Sequence, residues 1–456
     1  MTDDPLLKYI TAARWFGGKG RSPQLIGVTA LPWLRPPGDW PAIRQEIVEV
    51  GYPGGDDHEF YQLVVNYRPT DQVTDPVITA TTDPVHGELS GVDGTEDPAA
   101  HGALLDLLLS TRAGDASDTG TLVAHRLGDD PLVPGLPSRV FGGEQSNTSV
   151  LFAHLAIMKL FRRIEVGRNL DIETHDVLTR SGNADVARLY GWIEGSWSAP
   201  DQGIGYGADL AMVTELLPEA RDGWEFALAE LRAGHDFSAQ AHRLGAALAN
   251  VHDALRANFL TATEDGDQVS SIMGRRLDAA VAAAPQLAPY SDGLRGVFRS
   301  LAGRQLQTQR VHGDFHLGQT LFTPSGWKII DFEGEPAKTL AERSRPDSIW
   351  RDIAGALRSF DYAAAHHPAA AGDTLAADWA RVCQEAFLSG YGVSAGRDDH
   401  DVGDDHGDHG ELDVLRAYVA DKAIYEVVYE ARNRPDWVQI PLTAVASIAR
   451  RSQHVD

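Results

Sequence analysis

One cysteine, Cys383, stands in 456 residues, so no disulfide can form within the chain. A reducing, cytosolic setting fits that composition. Basic residues are few beside acidic ones: 40 Lys and Arg against 65 Asp and Glu, a formal net charge of −25. A nucleic-acid binder needs a basic footprint that this balance does not supply, and an anionic membrane surface would repel the chain. Any anionic ligand therefore needs its own local positive potential. Apolar runs all fall well short of the roughly 20 residues that span a bilayer. The first twenty residues carry no charged, apolar and small-residue succession, so no signal peptide is expected. Internal repeats are lacking too. Hydrophobic residues make up 43 % of the chain, enough for a sizeable core, and the length fits two or three domains.

The stretch that carries chemistry is Arg310–Pro336, RVHGDFHLGQTLFTPSGWKIIDFEGEP. His312-Gly313-Asp314 opens a loop, Gln319 follows five residues after Asp314, and the apolar run Trp327–Ile330 ends in Asp331-Phe332-Glu333-Gly334. Two acid loops separated by an apolar strand suit phosphoryl transfer. One carboxylate, Asp314, would sit near an acceptor hydroxyl and take its proton. Gln319 and Asp331 would hold Mg²⁺ on the nucleotide phosphates, because hard cations take oxygen ligands. His316 would bond the acceptor or the Asp314 loop; a packed loop histidine is the other reading.

Phosphoryl transfer also needs a cation on the nucleotide. Lys159 sits in Ile157-Met158-Lys159-Leu160, and an inward lysine there needs an anion. Glu173, on the helix expected over Asn169–Arg180, is the expected partner. Read alone, Lys159 also suits an edge strand facing solvent. The segment Glu144–Ser149, with Ser146, Asn147, Thr148 and Ser149, offers hydroxyls, amides and backbone N–H groups between strands expected at Val140–Gly143 and Val150–Leu155. Such a loop can lie over phosphates, and a polar hairpin turn would read the same way.

Near the end of the chain, Lys422, Tyr425, Glu426, Tyr429 and Asn433 share one face of a helix expected over Leu412–Arg432. The face is too polar for plain core and too aromatic for bulk solvent. It suits a sugar, whose ring has apolar faces and hydroxyl edges; a surface helix whose tyrosines cover its neighbours is the alternative. Between this helix and the previous one lies the polar, low-complexity run Arg397–Gly410, expected to be a solvated insertion.

His-Gly-Asp-x-His followed by the second acid loop resembles the aminoglycoside phosphotransferase group of kinase-like enzymes. VHGDFHLGQ with IDFEGEP, the loop EQSNTS and the C-terminal YExDKAxYEVxYExRxRP pattern are similar to the actinobacterial maltokinases, with Val419 standing where that pattern has Glu. The resemblance implies an α+β, bilobal protein-kinase-like fold: an N-terminal mostly β cap over 1–90, a kinase-like N-lobe over 91–207 and an α-rich C-lobe over 208–456. Within it, Ala13–Gly20, ARWFGGKG, opens the cap as a structural segment, since Walker spacing is lacking. Met212–Leu216, entering Pro218, is like a kinase hinge, which places Thr214 and Leu216 at the nucleotide. The resemblance further implies transfer from ATP to the anomeric hydroxyl of maltose, with Mg²⁺, and association with trehalose synthase. Two other readings stand beside it: a glucosamine or other small-sugar kinase, and a non-catalytic kinase-like partner protein.

Overall fold

Strand-forming alternation builds the first sheet, but burial goes further than alternation predicts. The structure is a computed structural model. It describes every residue except 1–3, 55–56, 112–115, 119–121, 143–145, 199–204, 337, 368–373, 394–407 and 453–456, and only the backbone of 116–118, 408–409 and 451–452. Most of the Arg397–Gly410 insertion lies outside the described residues. The strands Gln24–Arg35, Ala42–Gly51, His58–Pro69, Gly87–Asp93 and Thr79–Asp83 pair antiparallel in that spatial order, and Arg163–Ile164 adds to His58–Pro69. Alternation at 46–50 and 61–67 reads as half-buried strands. Instead both central strands are buried nearly throughout. One face, with Ile43, Ile47, Phe60 and Val64, joins a core shared with the helix Pro98–Leu109; the other, with Val48, Tyr61, Leu63 and Tyr67, packs under the helix Pro5–Ala12 and Phe16. The polar positions are tolerated there because they are bonded. Gln62 Nε2 donates to the carbonyls of Phe161 and Leu210, both at 2.9 Å, and Glu59 accepts from Tyr61 at 2.5 Å and Arg163 at 2.9 Å. Gly17 N donates to Tyr61 Oη at 3.1 Å, so the ARWFGGKG segment helps build this core.

The second sheet runs Ala116–Asp118, Leu122–Arg126, Leu189–Ser198, Gly205–Glu215, Ala156–Leu160, Thr148–Phe152 and Ser138–Phe141 in spatial order. The chain divides into two compact units, 1–176 with 187–218, and 177–186 with 219–456. Gly205–Glu215 is paired on both sides within the second sheet, so position 208 falls inside a strand and the C-terminal unit resumes at Glu219. Likewise Gly87–Asp93 carries the first sheet across position 90.

The C-terminal unit is helical, with one small sheet of Arg221–Asp222, Thr320–Thr323 and Gly326–Ile329. Its helices include Gly223–Arg232, Ser238–Asn258, Gly266–Ala283, Ile349–Ala365, Leu375–Tyr391 and Asp408–Asn433. Ser238 is the first residue of the helix Ser238–Asn258, and Asp236 accepts from its N–H at 2.8 Å. Among the described residues no helix is long and apolar enough to cross a membrane. The helix Ile349–Ala365 is central to one of the two cores of this unit, with Ile353, Leu357 and Phe360 against Leu248, Phe315 and Phe387. Gly355 lets it approach the catalytic stretch: a Cβ there would lie 2.2 Å from the Phe315 carbonyl oxygen. Backbone cannot yield cheaply, so Gly355→Ala should lower stability by about 1–3 kcal/mol, the usual cost of overpacking. A denaturant titration checks this through a lower midpoint at unchanged slope.

Candidate active site

The catalytic loop is hung from one buried carboxylate. Ser348 Oγ caps the helix Ile349–Ala365, accepting from Trp350 N at 3.3 Å. That start aims Asp352, fully buried, at the loop. Its two oxygens accept from His312 N and Gly313 N, each at 2.8 Å, and from His252 Nε2 at 2.9 Å. His252 Nδ1 in turn meets the Tyr391 hydroxyl at 2.7 Å. Burial pushes the Asp352 carboxyl up, but His252, His312 and the Gly313 N–H outweigh it, and the group stays ionised below the usual carboxylate range. Gly313 turns the loop with φ of +88°, a conformation that suits glycine. His312 accepts from Asp314 N through Nδ1 at 3.3 Å and donates from Nε2 to the Ile330 carbonyl at 2.9 Å, tying the two acid loops together.

Asp314 and its neighbours form a charged cluster. Lys422 Nζ lies 3.2 Å from Asp314 Oδ1. Burial raises the Asp314 carboxyl; Lys422, His316 and His312 lower it more, so it lies below its ordinary range. Lys422 shows the converse: burial pulls it down, Asp314 and Glu426 push it up further. His316 caps the turn Leu317–Gln319, accepting from Gly318 N through Nδ1 at 3.0 Å, and burial holds its pKa down despite Asp314. It is thus a loop-ordering histidine that also faces the Asp314 cavity. Gln319 and Asp331 are brought side by side by the hairpin, in which Ile330 N donates to the Gln319 carbonyl at 3.1 Å. Asp331 has φ of +66°, a strained conformation for a side chain other than glycine's. An amide oxygen and a carboxylate at this corner are the donor chemistry that Mg²⁺ takes.

A cavity of about 900 Å³ opens beside Asp314 and is lined by His316, Lys422, Tyr425, Glu426 and Tyr429; Asn433, the last residue of the expected sugar face, does not line it. Tyr425 and Tyr429 are 42 % and 44 % exposed and stack at 6.4 Å with planes 23° apart, one turn apart on Asp408–Asn433. Trp224, Tyr362, Glu430, Arg434 and Trp437 complete the wall, and sequence reasoning did not single them out. Their signal is faint, because they come from three separate segments. Glu426 needs a correction of emphasis. It is 9 % exposed, and its carboxylate accepts from Arg358 Nε at 2.8 Å, so its first partner is protein rather than ligand. Asn433 Nδ2 donates to the Tyr429 carbonyl of its own helix at 2.9 Å.

In the N-terminal unit, Lys159 lies in the strand Ala156–Leu160 opposite Ser149, so the lysine and the polar segment are cross-strand neighbours. Lys159 Nζ is 3.3 Å from Asp171. That acid lies in the first turn of the helix Leu170–Arg180 together with Glu173, the partner expected from the sequence. Ser146 and Asn147 lead into the strand Thr148–Phe152, where Ser149 is fully buried; residues 143–145 lie outside the described residues. Thr214 faces Ile157 across the sheet, and Leu216 N donates to the Leu155 carbonyl at 3.0 Å.

These elements are those of a kinase-like phosphotransferase. Residues 9–97 match the maltokinase N-terminal cap domain and 179–384 match the phosphotransferase enzyme family, and the two matches together are consistent with a maltokinase-like protein of the aminoglycoside phosphotransferase fold. Glucosamine kinase of Streptacidiphilus jiangxiensis is 28 % identical over 325 residues, 65 % of this chain and 70 % of that protein. Glucosamine kinase of Mycolicibacterium smegmatis is 23 % identical over 329 residues, 67 % and 78 % of the two chains. A solved glucosamine kinase in complex with glucosamine, ADP and inorganic phosphate shares the fold, with a TM-score of 0.67 over 97 % of this chain and 98 % of that one at 20 % identity.

Two outcomes follow from the ion pairs. Glu426→Ala leaves the buried Arg358 with Asp361 as its remaining ion-pair partner and should cost about 1–3 kcal/mol of stability, whereas Tyr425→Ala at an exposed position should stay within about 0.5 kcal/mol; thermal melts compare them. Asp314 has a folded pKa below its unfolded value, so its pairing stabilises above the ordinary carboxylate pKa of about 4 and is lost as pH falls through the folded value. The acid-induced loss of stability should therefore shrink in Asp314→Asn.

Proposed function

We propose that the chain transfers the γ-phosphoryl group of ATP to the anomeric hydroxyl of maltose, giving maltose 1-phosphate and ADP. The observation that carries this is the charge balance of the Asp314 cavity. Its inner acids each hold a cation: Asp314 has Lys422, Glu426 has Arg358, and Glu430 has Arg434 at 2.7 Å. A wall neutralised in this way, with Tyr425 and Tyr429 as a platform, favours a neutral sugar over a polycation such as an aminoglycoside. The volume suits a drug-sized or disaccharide ligand.

In the reaction the acceptor hydroxyl proton passes to Asp314, the new O–P bond forms, and the bond from the γ-phosphorus to the β-bridging oxygen breaks. A low-pKa carboxylate suffices where the proton moves late, in a loose transition state. Mg²⁺, when bound, supplies charge neutralisation on the phosphate oxygens. Gln319 and Asp331 are the residues that would hold it. Lys159 binds the nucleotide phosphates, oriented by the acids of the helix Leu170–Arg180. Ser146, Asn147 and Thr148 supply further donors, and Thr214 and Leu216 flank the base. The same reading carries a cytoplasmic place and trehalose synthase as a partner, the latter tested by co-elution of the two purified proteins.

A second reading, a glucosamine kinase, is favoured by the two curated relatives of that name. An amino sugar brings an ammonium that would need a carboxylate at the cavity rim, where Asp222 and Glu225 stand. ATP consumption across maltose, glucose, glucosamine and aminoglycosides separates the two. Maltose should dominate, with the phosphate on the anomeric carbon by NMR; preference for glucosamine would overturn the first reading. Asp314→Asn should cut kcat by about 10²–10⁴-fold, the worth of a positioned base. Tyr425→Ala should weaken maltose binding by about 1–3 kcal/mol with the KM for ATP unchanged. Chelation of divalent ions should abolish turnover, and Asp331→Asn should nearly do so in a protein that melts normally.

A further inference from the structure

A second cavity, of about 350 Å³, lies against the other side of the Asp408–Asn433 helix. Its apolar floor is Ala279, Ala280 and Ala283 with Ile424 and Val428. Its polar lining is lopsided. Five cations, Arg276, Lys338, Arg351, Lys422 and Arg432, face two acids, Glu335 and Asp421. Those acids are already engaged: Asp421 lies 2.9 Å from Arg276 and Glu335 lies 3.3 Å from Lys338. Arg351 pairs with Asp347, which does not line this cavity, and at 4.0 Å with Glu335, which does; Lys422 pairs with Asp314, which does not. Arg432 is exposed and makes no ion pair among the described residues. In a chain of net charge −25 such a lining is an island of positive potential. Lys422 and Tyr425 line this cavity and the Asp314 cavity alike.

We propose that this second cavity binds a phosphate monoester. A dianion can take hydrogen bonds from several of the five lining cations at once, which a single carboxylate cannot. Guanidinium groups suit its oxygens through paired, charge-assisted hydrogen bonds. The alanine floor leaves room for a small body attached to the phosphate, and a neutral sugar would use none of the cations. A bound anion would compete with Asp314 for Lys422, which places the site one side chain from the catalytic loop. The coupling to catalysis rests on Asp314 acting as the base; the binding does not.

The test is calorimetry on the full chain without nucleotide, with inorganic phosphate and glucose 6-phosphate as probes. Saturable binding is expected, weakened at least tenfold by Arg276→Gln with Arg432→Gln, and unchanged by Lys159→Ala on the nucleotide side or Arg434→Gln in the Asp314 cavity. Tighter binding of glucose 6-phosphate than of phosphate supports a monoester ligand. Equal binding of the two would overturn the monoester assignment in favour of the free ion. The site itself is overturned by wild-type affinity in the arginine double variant, by loss of binding in Lys159→Ala or Arg434→Gln, or by no saturable heat from either probe. A melting curve on the double variant, with exposed Arg432→Gln alone as a second measure, separates lost binding from lost fold. If the panel of sugars shows no kinase activity, the binding result still stands or falls by itself.

Discussion

Everything at the reaction centre depends on the burial of Asp352. A carboxylate with no exposure carries a desolvation cost of several kcal/mol unless its oxygens are filled. Two backbone N–H groups and one imidazole fill them. Those two N–H groups belong to the residues just before Asp314, so the bonds that make the burial tolerable also fix where the Asp314 carboxylate lies. The same helix continues the work. At Gly355 it comes close enough to touch the Phe315 carbonyl, at Ser359 it accepts from Leu317 N at 3.3 Å, and at Arg358 it holds Glu426. One helix thereby positions the catalytic loop on one side and part of the sugar wall on another.

Charge is the second constraint. The chain is strongly acidic, yet the Asp314 cavity keeps little free negative charge because its acids are paired within their own walls. The pairs differ in exposure. Glu426 with Arg358 is buried and structural, whereas Lys422 with Asp314 is partly open to solvent. A buried pair is costly to break and holds its geometry; an open pair can exchange partners with a ligand. The cavity therefore combines a rigid rear wall with an adaptable front at Lys422, Tyr425 and Tyr429.

The strain at Asp331 belongs with this picture. A left-handed aspartate is held only where its surroundings over-determine it. Here the hairpin bond from Ile330 to Gln319 precedes it and the His312 contact to the Ile330 carbonyl clamps the same residue. The conformation turns the chain away from the hairpin directly after its last backbone bond.

The sequence by itself determined the local parts. The spacing of Asp314, Gln319 and Asp331, the lysine at 159 and the aromatic face from Lys422 to Tyr429 were legible because each depends on neighbours a few residues away, on loop length or on helical period. Helix positions were legible for the same reason, from apolar residues at 3.6 spacing. Only the tertiary structure decided who pairs with whom. Asp171, which the sequence did not single out, meets Lys159 because strand and helix register, not proximity in the chain, sets that contact. Glu426 faces Arg358, 68 residues away, and the Tyr391–His252–Asp352 chain joins three helices with no shared motif. The first sheet is buried on both faces because a helix and a loop cover what alternation marks as a solvent side. Such contacts are made between distant segments, and their energy depends on burial that no local pattern contains.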